Sequence, residues 1–233
     1  MNPGLLAIKK RPIVSSLYSA VILGDTPLGY WRLGETSGST AADSSGNNYN
    51  GSYVSCTQGA PSLINNNGGD LAVSGNGTSS QITVGAVSAL YNLSRSFSFE
   101  CWAKPASVSG NYGLWSAGYP GWCVRMKNGQ LDFLLDYSVD IGTIPTNFAV
   151  NTRYHIVCVM NASGVVTAYI NGVSVGTLDM SAYTYSGQYV RIGADGRDSS
   201  TVGNFMTGEL DEVAVYNYML TTTQISNHYN AGK

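Results

Sequence analysis

Apolar and polar residues alternate along most of this chain with a period of two, the pattern of strands that bury one face. Over residues 97–103, Phe97, Phe99, Cys101 and Ala103 fall on one face, and Ser98, Glu100 and Trp102 fall on the other with Lys104 beyond. Comparable strand patterns occupy residues 81–84, 122–126, 131–137, 154–160, 165–170, 189–192 and 209–216. Asn128-Gly129 and Asn171-Gly172 separate such runs. Asn-Gly supplies the two positive φ values of a tight hairpin turn, so meanders are expected over 122–137 and 154–178.

Helical patterning is confined to two stretches. Residues 15–23 read as a short helix. Near the carboxyl end, Thr221 followed three residues later by Gln224 is a capping box. It should open a helix through His228 that stops before Gly232, taken as a C′ glycine. Many short strands with one terminal helix predict a single two-sheet sandwich or jelly roll. No internal repeat or interdomain linker interrupts it.

The composition narrows what such a sandwich can do. Only 11% of the 233 residues are charged, less than half the usual share, whereas 28 Ser, 17 Thr and 19 Asn supply the polarity. A net charge of −2 excludes a phosphate-binding basic face as the main business, so no nucleic acid partner is expected. No apolar run is long enough to span a membrane as a helix. The four cysteines lack metal-ligand spacing. Cys101 and Cys158 sit in apolar strand patterns, and free thiols are expected. The amino-terminal residues do not read as a signal peptide, because the basic residues follow a very short apolar stretch. Residues 1–17 read as an arm ahead of a domain over 18–233. Pro12 should keep its first 14 residues extended, suiting them either to docking on a neighbouring subunit or to folding back over an edge of their own sandwich.

Three blocks then point to a family. The first is residues 18–27, with Tyr30-Trp31-Arg32-Leu33-Gly34-Glu35 and Ala41-Ala42-Asp43-Ser44-Ser45-Gly46-Asn47. The second is residues 97–102, with 154–159 and 168–172. The third is residues 192–195, with Gly208-Glu209-Leu210-Asp211-Glu212-Val213-Ala214-Val215-Tyr216-Asn217 leading into the terminal helix. Together they resemble the laminin-G-like, concanavalin A-like modules of bacteriophage virion and bacterial surface proteins. The resemblance implies an all-β, concanavalin A-like (LamG-like) jelly-roll sandwich of two antiparallel sheets with a short C-terminal helix. It also implies that the first and last blocks lie side by side in one sheet.

Function is less constrained, because this fold serves lectins, glycosidases and inert modules alike. Laminarinase-like relatives carry Glu-x-Asp-x-Glu on one strand, which sets a nucleophile and an acid/base on one face. Here the nearest match is Glu209-Leu210-Asp211-Glu212-Val213. Val213 replaces the second glutamate, and strand alternation puts Glu212 on the face opposite Glu209 and Asp211. The triad is broken and no enzymatic activity is expected. His155 and His228 have no serine elbow nearby and read as structural. The resemblance implies instead a structural calcium ion held by Asp211 with the oxygen-rich turn at Asp43; the alternative is that Asp211 accepts from nearby backbone amides and Asp43 holds an Asx-turn. Sugar stacking is expected at Tyr119, Tyr183 and Tyr185, drawn from an aromatic set that also holds Tyr112, Trp115, Trp122 and Tyr189. Trp115 and Trp122 sit in strand patterns and read as core.

The expected function is that of a non-enzymatic virion structural protein, a head-decoration, tail or fibre component that contacts host glycans. Its partners would be other virion subunits, reached through the arm, and further copies of itself in a homo-oligomer. The expected location is the virion. The alternative is a bacterial carbohydrate-binding or adhesion module at the cell surface or secreted, and a glycoside hydrolase is a distant third.

Overall fold

The computed structural model describes residues 17–65, 69–93, 95–135, 140–184 and 186–233. The arm up to residue 16 and Tyr185 lie outside the described residues. Two eight-stranded antiparallel sheets pack face to face. In the first sheet the order is Val173–Asp179, Val165–Ile170, Tyr154–Met160, Phe97–Pro105, Thr207–Tyr216, Leu71–Asn76 and Thr57–Pro61. The short strand Gly29–Trp31 joins this sheet by pairing with Thr207–Tyr216. In the second the order is Asp140–Ile144, Gln130–Leu134, Cys123–Lys127, Asn111–Ser116, Val190–Ile192, Gln81–Gly85, Gly51–Val54 and Thr40–Ala41. Gly29 pairs with Val215 and Trp31 with Val213, so the first and last blocks are neighbours in one sheet. Both Asn-Gly pairs make the expected turns, with φ of 48° and 76° at Asn128-Gly129 and 54° and 79° at Asn171-Gly172. Among the described residues no helix is long and apolar enough to cross a membrane.

The inner faces meet over a core led by aromatics. Trp115 and Trp122 stack with centroids 5.6 Å apart, and Phe97 lies 4.4 Å from Trp122. Trp31 and Phe99 close the cluster against Trp115. All five side chains are buried, each contributing on the order of 2 kcal/mol by leaving water. The inward residues of the Phe97–Pro105 strand are the alternating set Phe97, Phe99, Cys101 and Ala103. The four cysteines are free, and Cys101, Cys123 and Cys158 are buried.

The opposite face of the first sheet is not open to solvent. Helix α1 (Leu17–Gly24) and, after the short helix α2 (Ser88–Tyr91), helix α3 (Thr222–Gly232) lie over it. Tyr18 and Ile22 of α1 and Ile225 of α3 pack there with Trp102, Val157, Val159, Ala214 and Tyr216 in a second core. Helix α3 opens with the capping box of Thr221 and Gln224. It does not stop before Gly232, however, but runs through it. A Cβ on Gly232 would stand 2.6 Å from the Trp102 ring, so this glycine is required by close packing rather than by a left-handed cap.

The final strand also departs from simple alternation. Its pairing with Phe97–Pro105 slips between Asp211 and Ala214, and Glu212 has φ of 53°. The bulge inserts one extra residue at the point where the strand exchanges Leu71–Asn76 for Gly29–Trp31 as partner. Glu212 therefore does not oppose Asp211, as alternation implied. Its carboxylate accepts from Tyr30, whose side chain belongs to the helix-covered core, and Asp211 pairs in register with Trp102 of that same face.

Gly232→Ala separates two expectations. Helix propensity alone would make alanine stabilising by about 1 kcal/mol. The contact with Trp102 should reverse that sign and cost about 1–2 kcal/mol in urea unfolding.

Candidate functional site

The polar positions of the second sheet's outer face carry a buried network. Arg125, Asp132, Ser116, Cys123 and Arg191 alternate with the core residues Val124, Leu131, Phe133, Trp115 and Ile192. A hairpin of Asp195–Gly196 paired with Val202–Gly203 lies across this face. It can do so because Gly113 has no side chain, since a Cβ there would come within 2.4 Å of Asp195 N. Beneath the hairpin, Arg125 Nε donates to Asp132 at 2.6 Å and Nη1 lies 3.4 Å from Asp195. Asn204 donates to both Asp195 oxygens at 2.9 and 2.8 Å. Burial pushes the carboxyls of Asp132 and Asp195 up to about 6, against the pull of Arg125.

At one end of this face three loops are tied together. Tyr119 N donates to Arg197 O at 2.7 Å, Ser186 N to Pro120 O at 3.1 Å, and Gln188 N to Ala117 O at 3.0 Å. Tyr119 keeps 37% of its surface exposed, and the Arg197 guanidinium lies over its ring at 4.9 Å. Beside them, Arg191 lies over the half-buried Tyr189 ring at 4.6 Å and donates from Nη2 to the Asp198 carbonyl. Among the described residues, neither arginine forms an ion pair with a carboxylate. Asp198 instead accepts from Ser200 N and Thr201 N, both at 2.8 Å, and these bonds hold its carboxyl down at about 2.

Of the expected stacking residues, Tyr119 is thus exposed and framed. Tyr183 is half-buried against the main core, and Tyr185 falls outside the described residues. Trp115 and Trp122 are core, as their strand patterns indicated. Sequence reading missed Arg197 and Arg191. The signal available was two arginines close together in a chain with only 12 basic residues.

The aspartates expected to share calcium have different surroundings. Asp43 Oδ1 accepts from Tyr30 N and Ser45 N, and Oδ2 from Ser45 Oγ and Tyr49 N, at 2.9–3.0 Å. Such a carboxylate holds a turn together. Asp211 Oδ2 accepts from Ser62 Oγ and Leu63 N at 2.8 Å, on the helix-covered face. The nearby positive charge is protein-borne, for Arg32 pairs with Asp70 and stands 3.6 Å from Glu212. Burial pushes the Asp211 carboxyl upward, with the Asp70 charge adding to it, and burial and the Asp211 charge push Glu212 upward. Among the described residues no group of three acid, histidine or cysteine side chains is arranged for a metal ion. Asp211 Oδ1 and Glu212 Oε1 are buried without a hydrogen-bond partner among the described residues, but both Asp43 oxygens are engaged, so the set does not fit a calcium ion, which takes six to eight oxygens, shared by Asp43 and Asp211. The melting temperature should accordingly be the same with EDTA and with added calcium.

The two histidines, from distant parts of the chain, meet at Glu100. His155 Nε2 and His228 Nδ1 both lie 3.0 Å from Glu100 Oε2, and Tyr216 donates to Oε1. His228 Nε2 reaches Asp25 at 2.8 Å, just beyond α1. Burial opposes charge on both partners, but the pair outweighs it. Glu100 is held well below the usual carboxylate range, and His228 rises to about 9 between Glu100 and Asp25.

A family model described as the concanavalin A-like lectin/glucanases superfamily, of laminin G type, matches residues 76–226. The chain belongs to this superfamily. Among similar solved structures of this lectin-like fold is the binding domain of Paraclostridial mosquitocidal protein 1. It is 18% identical, with a TM-score of 0.67 over 90% of this chain and 53% of that one. The botulinum neurotoxin serotype D binding domain is 12% identical, with a TM-score of 0.63 over 88% of this chain and 52% of that one. Trypanosoma rangeli sialidase is 16% identical, with a TM-score of 0.63 over 88% of this chain and 32% of that one. The lectin-like chain thus spans about half of the toxin domains and a third of the sialidase, and at these identities the likeness is one of fold. No curated protein matches it in sequence.

The histidine cluster makes the stability of this lectin-like domain dependent on pH. His228 binds its proton more tightly when folded, so its contribution is complete below pH 6.5 and is lost as pH rises through about 9. That contribution is on the order of 3 kcal/mol. Urea unfolding at pH 6 and pH 9.5 should show the loss, and His228→Asn should flatten the slope over this interval.

Proposed function

We propose that this chain is a non-enzymatic structural protein of a bacteriophage virion, a head-decoration, tail or fibre component whose lectin-like domain contacts host glycans. The observation that carries the glycan reading is the Tyr119–Arg197 pair. An exposed ring and an unpaired guanidinium stand on three loops locked to one another by backbone hydrogen bonds. Sugar rings pack against exposed aromatic side chains, and a frame ordered before binding loses little entropy when the ligand arrives. Two similar folds, those of the toxins, are themselves described as binding domains.

The non-enzymatic reading rests on what surrounds the carboxylates of the glycosidase-like motif. Asp211 and Glu212 are fully buried, and Glu209 pairs with Lys104 at 3.1 Å. Two carboxylates facing one sugar across an open cleft are what retaining hydrolysis demands, and these three do not face one. The histidines are engaged with Glu100. Support for a virion component comes from the low charge of the chain and from its free cysteines, which suit assembly in a reducing medium. A bacterial adhesion or carbohydrate-binding module is the second reading, and the same loop cluster would serve it.

Removing residues 2–14 should leave a folded domain with near-native melting that no longer enters particles. Retention in particles would place the anchor elsewhere, and flanking polysaccharide-use genes without capsid or tail genes would favour the adhesion module. On a glycan array, Tyr119→Ala should weaken binding roughly tenfold without changing the melting temperature. Release of reducing ends from β-glucans, abolished by Glu209→Gln, would overturn the non-enzymatic reading.

A further inference from the structure

A stacked arginine still has its in-plane N–H groups to spend. Arg197 is exposed, its guanidinium carbon stands over the Tyr119 ring at 4.9 Å from the centroid, and its own backbone is pinned by Tyr119 N and by Thr201 O at 2.9 Å. Stacking orders the fork, and no carboxylate among the described residues occupies it. The nearest acid along the chain, Asp198, turns its oxygens to the amides and hydroxyls of Ser200 and Thr201. A second cation lies behind. Arg191 is 1% exposed and, among the described residues, carries no ion pair and has Nε and Nη1 without a hydrogen-bond partner. Its Nη2 holds the Asp198 carbonyl, next in sequence to Arg197. Burying a guanidinium is costly, and burial depresses the Arg191 pKa against the pull of Tyr189, Asp198 and Asp195. An anion at the adjacent Arg197 would offset part of that cost. The Arg197 guanidinium is thus an exposed cation in a chain of net charge −2 with a charge-poor surface.

We propose that this loop end is a subsite for the carboxylate of an acidic sugar, with Arg197 as the contact and Arg191 as a positioning residue. The planar fork of Arg197 matches a planar carboxylate in a two-bond geometry that a lysine cannot reproduce. The exposed edge of Tyr119 would flank the pyranose to which that carboxylate is attached. The inference rests on the glycan-contact reading above and specifies its ligand class.

The test uses the full chain on immobilised neutral, sialylated, uronate-containing and sulfated oligosaccharides, followed by calorimetry with 3′-sialyllactose, trigalacturonic acid and lactose. Carboxylated sugars should bind at least tenfold more tightly than lactose, with an advantage that shrinks as salt rises from 50 to 500 mM (about 50 and 500 mM as working values). Arg197→Gln should remove the advantage while leaving the melting temperature unchanged, and Arg197→Lys should restore only part of it. Tyr119→Phe should retain it. Equal binding of lactose and the carboxylated sugars overturns this inference and leaves glycan contact standing. A preference for sulfated over carboxylated sugars overturns it as well, as does a carboxylate preference that survives Arg197→Gln. Binding to none of the oligosaccharides overturns both the inference and the reading on which it rests.

Discussion

One carboxylate group without solvent exposure, Glu100, accepts hydrogen bonds from a strand histidine, a helix histidine and a strand tyrosine. Through His228 the chain of contacts runs on to Asp25, at the end of α1. Four segments far apart in sequence are therefore tied at one point. A charge removed from water must be matched there or neutralised, and removing one partner of such a pair typically costs 3–5 kcal/mol (~3–5 as a general range). The second core of Trp102, Tyr18 and Ile225 closes around this network, and α3 lies close enough to the sheet that only glycine fits at position 232. The terminal helices are in this sense part of the domain and not appendages to it.

The two sheets handle polar groups on their outer faces in different ways. On the first sheet, helices cover Glu100, Asp211 and Glu212, and the bulge at Glu212 lets neighbouring carboxylates share one side of a strand. On the second sheet, a two-stranded hairpin covers Arg125, Asp132 and Asp195, leaving the loop end with Tyr119 and Arg197 exposed. Buried charges thus lie on both outer faces, while ion pairs such as Lys104–Glu209 and Lys127–Asp140 stay partly exposed.

Much of the candidate site was partly legible. Tyr119 stands between Gly118 and Pro120, a turn context that points to exposure, and it is exposed. Arg197 could not be paired with it from the sequence, because 78 positions separate them (197 minus 119) and the hairpin that brings them together crosses a sheet. Asp43 and Asp211 illustrate the converse. Their residue type and family position suggested a shared ion, whereas hydrogen-bond donors fill Asp43 and Asp211 lies on the helix-covered face.

Local physics determined what the sequence could declare alone. Strand periodicity, the Asn-Gly turns and the Thr221–Gln224 capping box each depend on residues a few positions apart, and each is present as expected. The alternation over residues 97–103 separated core-facing from outward-facing side chains correctly. What covers the outward face was a tertiary decision, since Trp102 and Glu100 become buried only when α1 and α3 arrive from the two ends of the domain. The bulge was another. Alternation assigns Glu212 to one face, but the exchange of strand partners from Leu71–Asn76 to Gly29–Trp31 inserts a residue with positive φ and turns it to the other. Period-two patterning describes a strand with one neighbour on each side, and a strand that changes neighbours midway obeys the geometry of all of them.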